Sequence, residues 1–381
     1  MTYRIPFNRP TRAAADLDYV QQALGNGHLS GDGPFTKRCH DILEQALGVH
    51  KVLLTTSCTH ALEMAALLLD IRPDDEVIVP SFTFVSSVNA FVLRGARPVF
   101  VDVRRDTLNL DERQLEAALT PRTRAIVVVH YAGTSCDMDA IGAIASRAGV
   151  PVVEDNAHGL FGRYRGRFLG TFGRLATLSF HETKNFSCGE GGALLINDPA
   201  LVERAEIIRE KGTDRSRFFR GQVDKYGWVD VGSSYLPSDV LAAMLAAQLE
   251  DRERIQARRR RLWERYRADL ADWAEARAVT LPSVPEECDS SYHMFHMLMP
   301  SLEVRTALIA RLKQQGILAV FHYLPLHTTA MARKTGAAGQ ACPVTEQVSD
   351  RVIRLPFFTD MSDAEQADVI AAVRAFGPEP A

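Results

Sequence analysis

No CxxC pair occurs anywhere in the chain. Its six cysteines (Cys39, Cys58, Cys136, Cys188, Cys288 and Cys342) are scattered, without a His-Cys cluster. That argues against a zinc site or a disulfide scaffold and fits a reducing compartment. No stretch approaches the roughly 18 continuous apolar residues that a membrane span requires. The opening "MTYRIPFNRP" has no apolar core of a signal peptide. Together these absences predict a cytoplasmic location. There is no excess of charge: the formal net charge of −3 gives no electrostatic reason to expect nucleic acid as a partner. Internal repeats and low-complexity segments are absent too. The most basic run, "RERIQARRRRLWERYR" (252–267), carries interleaved Glu253 and Glu264 and reads as a solvated helix face.

What is present is an ordinary globular composition, 46% hydrophobic and 24% charged over 381 residues. That length accommodates one large domain and a smaller one. From about residue 50 to 200, short β-branched runs alternate with helical patterns. "KVLLTT", "DEVIVP", "RPVFVDV", "TRAIVVVHY", "VPVVED" and "LATLSF" read as strands. "THALEMAALLLD", "SSVNAFVLRG", "DERQLEAAL" and "DAIGAIASRAG" read as helices. Strands this apolar, separated by helices, predict an α/β fold with a largely parallel sheet covered on both faces. A loop-rich region spans 212–237, and one long helical stretch spans 238–275. The later segments predict a small α+β domain. The expected division is a large domain with an N-terminal arm over 1–250 and a small domain over 251–381.

Ligands of an open α/β sheet sit beyond the carboxyl ends of its strands. "VPVVED" delivers Glu154 and Asp155 there, and "LATLSF" delivers Ser179 before leading to Lys184. "KVLLTT" leads into "SCTHA", a helix start whose free N–H groups suit a phosphate, with Ser57 or Thr59 adding a hydroxyl. Taken singly, each is bland. Asp155 could cap a helix, Lys184 could be a surface charge, and the glycines of "GEGG" form neither GxGxxG nor a Walker loop. Taken together, an amine, an acid and an anion cradle match pyridoxal 5′-phosphate (PLP). Its aldehyde needs a lysine, its ring nitrogen an acid, and its phosphate N–H donors.

Four segments carry a resemblance: 31–69 ("GDGPFTKRCHDILEQALGVHKVLLTTSCTHALEMAALLL"), 75–103 ("DEVIVPSFTFVSSVNAFVLRGARPVFVDV"), "VVEDNAHG" and "LSFHETKNFSCGEGGALL". With these the chain resembles the DegT/DnrJ/EryC1/StrS sugar-nucleotide aminotransferases, PLP enzymes of fold type I. The resemblance implies that Lys184 is the Schiff-base lysine and Asp155 the partner of the ring nitrogen. It places His158 near the phenolic oxygen or ring and Phe84 stacked on the ring. Thr59, the amide of His60 and Ser179 fall at phosphate-binding positions. "GSSYLPSD" (232–239) departs from the family's Gly-x-Asn-x-Arg motif: Ser234 stands where an Asn normally reaches the phosphate of the neighbouring subunit, and Leu236 replaces the Arg. A homodimer, or a dimer of dimers, with shared sites is implied.

"GSSYLPS", "SFHETKN" and "FHYLPLH" look most like the dTDP-4-amino-4,6-dideoxyhexose transaminases. These convert dTDP-4-keto-6-deoxy-D-glucose to the galacto or gluco 4-amino sugar with L-glutamate as donor. Some relatives are dehydratases with His in place of the lysine, so Lys184 favours amino transfer. For the nucleotide and sugar, Arg220 and Lys225 in "FFRGQVDKYGW" and Tyr323 and His327 in "FHYLPLH" are candidates, against a packing role for the aromatics. A C3-aminotransferase of a related keto sugar nucleotide and a non-catalytic regulator of the same fold are the alternatives.

Overall fold

The computed structural model describes residues 3–377. The strands of its first half are β1 (Lys51–Thr55), β2 (Glu76–Pro80), β3 (Arg97–Val101), β4 (Thr123–Val129) and β5 (Val152–Asp155). After a small hairpin of β6 (Arg163–Tyr164) and β7 (Arg167–Phe168) come β8 (Leu175–Ser179) and β9 (Gly192–Ile196). Seven of these form one sheet in the order β1-β9-β8-β5-β4-β2-β3. β9 runs antiparallel to both its neighbours, and the remaining pairs are parallel. The carboxyl ends of β1, β2, β4, β5 and β8 therefore share one edge.

Alternation along each strand supplies two apolar faces. Leu53, Val77, Val79, Val127 and Val153 pack with the helices Cys58–Leu68 and Ser86–Val92 on one side. On the other, Ile78, Ile126 and Val128 pack with the helix Met138–Ala148, and Val52 and Leu54 with Asp239–Glu250. The α/β expectation holds.

The same alternation separates the two acids of "VVED". Glu154 is fully buried and accepts the amides of Gly170 at 2.7 Å, Phe172 at 2.7 Å and Gly173 at 2.6 Å, while His130 Nε2 lies 2.9 Å away. It anchors the turn that feeds β8. Asp155, one residue on, faces the opposite way, into the ligand-side cavity.

The long helical stretch is two helices, Asp239–Glu250 and Arg252–Glu275, broken at Asp251 (φ −89°, ψ 14°). Helical periodicity runs through the break because both halves are amphipathic. They serve different cores, however. Ala242, Leu245 and Leu249 pack under the large sheet, whereas Leu262, Tyr266 and Leu270 pack with Phe295, Met297, Leu312 and Val369.

That second core holds β11 (His296–Leu298) paired antiparallel with β12 (Val352–Arg354), while β10 (Cys288–Asp289) joins the β6–β7 hairpin. The helices Leu302–Gln314 and Asp363–Arg374 cover it, the latter closed by a capping box of Ser362 and Glu365. We propose the domain joint at Asp251. The N-terminal arm straddles it, because Ile5 pairs with Ile317 inside the second core.

One arginine of the basic run departs from the solvated-face expectation. Arg259 is 2% exposed. Its Nε donates to the Tyr292 carbonyl at 3.0 Å, Nη2 to that of His293 and Nη1 to Thr359 Oγ1 at 3.3 Å. Among the described residues, no helix is long and apolar enough to cross a membrane, and no group of His, Cys, Asp or Glu could hold a metal ion.

Candidate active site

A cavity of about 740 Å³ opens at the shared strand edge. Thr59, Phe84, Asp155, His158, Ser179, Lys184 and Tyr323 all line it, so residues far apart in sequence share one space.

Lys184 follows β8 in the turn that leads back into β9. Burial lowers the proton affinity of its ammonium from the ordinary 10.5 to about 8; the nearby Cys58 and Asp155 work against this fall and the charge of Arg354 adds to it. An amine of that kind is available unprotonated near neutral pH. Asp155 is held by two donors, Ser87 Oγ at 2.6 Å and the Ala157 amide at 3.2 Å, and Thr83 Oγ1 lies 2.7 Å from Ser87 Oγ. Bonds of this type fix the orientation of the carboxylate.

The anion cradle is the start of Cys58–Leu68. Gly192 makes it possible: a Cβ there would collide with the Cys58 nitrogen and the Ser57 carbonyl carbon. Only a glycine lets β9 pass this close beneath the helix start. Thr59 Oγ1 faces Ser86 Oγ at 2.8 Å, so two hydroxyls stand together at the cavity. The His60 amide donates to Ser57 Oγ at 3.1 Å, an N-cap bond. The His60 ring instead packs edge-on against Tyr235.

His158 stacks on His293 with centroids 4.2 Å apart, and burial keeps both neutral by pulling their proton affinity well below the usual histidine range. His158 Nδ1 is buried without a partner. A polar atom orphaned beside the lysine is a site for a ligand's hydroxyl or phenolic oxygen. Phe84 keeps 55% of its surface exposed, an apolar face in the cavity wall that a planar ring would cover. Orphaned nitrogen, bare aromatic face, acid, amine and glycine-opened helix start together fit PLP.

Four expected substrate or cofactor residues lie elsewhere in the chain. Arg220 is exposed and pairs with Glu206 at 2.8 Å, and Lys225 is exposed on the same loop; neither lines the cavity. Ser234 is exposed and bridges Glu210, outside the cavity of its own chain. His327 is buried, with Nδ1 2.6 Å from Ser81 Oγ and Nε2 3.0 Å from Glu346. It fastens its loop to the end of β2, a packing role.

Sequence reasoning passed over Ser87, His293, His322 and Arg354. Ser87 sits within the quoted "SFTFVSSVNAF", where a hydroxyl one helical turn after Phe84 was a usable signal. His322 lies beside Tyr323, stacked at 3.5 Å, with Nδ1 2.8 Å from Tyr131 OH. His293 and Arg354 reach the site from the second core, and no local pattern marks them.

A lysine and an acid at adjacent strand ends, over a helix start opened by glycine, define the class: a PLP-dependent transferase with a large mostly parallel sheet. Residues 10–374 match the DegT/DnrJ/EryC1/StrS aminotransferase family, and the chain belongs to it. The aminotransferase TlmJ from Streptoalloteichus hindustanus is 33% identical with a TM-score of 0.90, over 97% of this chain and 98% of its own. Spr1654 from Streptococcus pneumoniae, described as a sugar aminotransferase and solved in its PLP form, is 27% identical with a TM-score of 0.89, covering 98% of each chain. The 3-amino-5-hydroxybenzoic acid synthase is 29% identical with a TM-score of 0.87, again over 98% of each. The protein is an aminotransferase, and its cofactor is PLP.

Proposed function

We propose that the protein moves the amino group of L-glutamate to C4 of a keto sugar nucleotide, converting dTDP-4-keto-6-deoxy-D-glucose to a dTDP-4-amino-4,6-dideoxyhexose. The carrying observation is Lys184, an amine with a proton affinity near 8, in one cavity with Asp155 and with room beyond both. The cavity continues past Phe84 and Tyr323 to Phe321, Phe7 and Asn8. The "GSSYLPS", "SFHETKN" and "FHYLPLH" segments support the sugar-nucleotide substrate, and the similarity to Spr1654 supports a sugar.

Bound PLP supplies an aldehyde that takes up the amino group and a ring that draws electrons from the carbon being deprotonated. Lys184 holds the cofactor, then accepts the proton from the donor carbon and returns one to the acceptor. Asp155, fixed by Ser87 and Ala157, would present its carboxylate to the ring nitrogen. Thr59, Ser86 and the amides of Cys58 and Thr59 would hold the phosphate. His158, neutral and with Nδ1 free, binds the phenolic oxygen. Phe84 would cover one face of the ring and keep water from it.

The reading includes a homodimer in which Ser234 of one protomer reaches the phosphate held by the other. Supporting it, the 212–237 loop exposes Trp228 at 82% and Phe219 at 69%, apolar surface of the kind that marks an interface.

The test is incubation with dTDP-4-keto-6-deoxyglucose and glutamate, with the product assigned by NMR. An amino group at C4 is expected. One at C3 would move the reading to the C3-aminotransferases, and a protein that stays colourless with added PLP would overturn it altogether.

A further inference from the structure

The segment 290–293 leads into β11 and brings His293 to the cavity wall, held from three sides. Ser291 and His293 donate their amides to the carbonyls of Gly133 at 3.1 Å and Ala132 at 3.4 Å. Gly133 leaves the room for this, since a Cβ there would overlap Ser291 Oγ. Behind the segment, Arg259 donates to the carbonyls of Tyr292 and His293. Those bonds hold Tyr292 in the left-handed region at φ +51°, a conformation that persists only where its surroundings enforce it. On the lysine side stands Asn185, buried and next in sequence to Lys184.

Asn185 decides which nitrogen of His293 carries a proton. Its Nδ2 donates to the Ser291 carbonyl at 2.8 Å, a group that can only accept. Oδ1 is thereby left as the acceptor, and it lies 2.9 Å from His293 Nδ1. Nδ1 must then be the donor, and in a neutral ring Nε2 is a bare acceptor. Nε2 has no hydrogen-bond partner among the described residues, and His293 lines the cavity with Lys184 and His158. The neighbours of the ring discourage a second proton. His158 is stacked on it at 4.2 Å, and three charges act on it: Lys184 from the turn after β8, Arg259 from the helix Arg252–Glu275 and Arg354 from β12. Tyr131, in the turn Tyr131–Gly133, is kept an uncharged phenol by burial. The buried carboxylate of the cavity, Asp155, is taken up by Ser87 Oγ and the Ala157 amide.

We propose that Asn185 is a positioning residue: it locks His293 as the uncharged Nδ1–H tautomer, so that the wall beside Lys184 offers a bare acceptor and no further cation. An amide suits this task where a carboxylate would not, because it fixes one ring proton without drawing a second. Lys184 has to take a proton from the donor carbon, and an imidazolium in that wall would weaken it as a base. The proposal rests on the proton-carrying role of Lys184 in the reading above. The tautomer itself is measured without turnover, which keeps the two failures apart.

In cofactor-free protein carrying isotope-labelled histidine, nitrogen NMR reads the ring directly, with His293 assigned by its loss in His293→Gln. Nδ1 should be protonated and Nε2 bare across about pH 6–8. A protonated Nε2, or a ring that titrates in that window, would overturn the proposal. In the holoenzyme, the rate at which L-glutamate bleaches the yellow colour reads the consequence. Asn185→Asp keeps the hydrogen bond and adds the charge that draws a proton to His293. Bleaching should then be on the order of tenfold slower than wild type near pH 6 and within about threefold of it near pH 8.5. Adding His293→Gln to Asn185→Asp should remove that acid limb, since glutamine takes no proton. A loss in Asn185→Asp that is equal at every pH would make Asn185 merely structural, and no loss at any pH would leave the tautomer without a role; either result overturns the proposal. If glutamate fails to bleach the wild type while NMR shows the stated tautomer, the donor reading falls and the lock on His293 stands.

Discussion

Replacing Lys184 by methionine in the cofactor-free protein should stabilise the fold while destroying its activity. The folded site lowers the proton affinity of the amine from 10.5 to about 8. At about 1.36 kcal/mol per tenfold, keeping the ammonium charged at neutral pH costs at most about 3 kcal/mol. Lys184 is only partly buried, so solvent screening reduces the expected gain to about 1–2 kcal/mol. The sign follows from proton counting. Between about pH 8 and pH 10.5 the unfolded chain holds the proton that the folded chain has released, so wild-type stability rises with pH across that window. The advantage of Lys184→Met is therefore full below about pH 8 and gone near pH 10.5. Urea unfolding of both cofactor-stripped proteins, at one protein concentration and several pH values, reads this as a shift in midpoint at constant slope. A variant less stable than wild type at low pH, or an advantage that ignores pH, would refute the argument.

Further outcomes follow from the same geometry. Asp155→Ala should slow turnover severely with little change in fold, and Ser87→Ala should slow it by roughly tenfold, because one charge-assisted bond of about 1.5–3 kcal/mol is lost while the Ala157 amide remains; steady-state kinetics beside thermal melts check both. Ser234→Ala should weaken cofactor retention in the dimer, measured by dialysis against buffer, whereas a monomer active at high dilution would contradict a shared site.

The chemistry was legible where it sits on local patterns. Lys184, Asp155 and Thr59 each follow an apolar run, so their places at strand ends could be read directly. Arg220 and Lys225 lie outside the cavity of their own chain, because a loop cation says nothing of its partner; Glu206 one helix earlier pairs with Arg220. Arg259 was hidden in a basic run whose other arginines are exposed or half-buried, since burial depends on what crosses the helix and not on the helix itself. His293 and Arg354 were illegible for a related reason: they are brought to the cavity by the packing of the second core, contacts that span more than a hundred residues. The break at Asp251 left no signal in the periodicity, because each half of the stretch is helical and only its partner changes.

The neighbouring acids of β5 give that strand a reading frame. Glu154 is consumed by three amides and a histidine in the core, and Asp155 is given to the cavity. A slip of one residue would exchange them, turning the anchor toward the ligand and the working acid into a core that has no place for it. Insertions in most surface turns are tolerated, but a single residue added or removed at Gly149–Pro151 would fall on the side of the enzyme's chemistry.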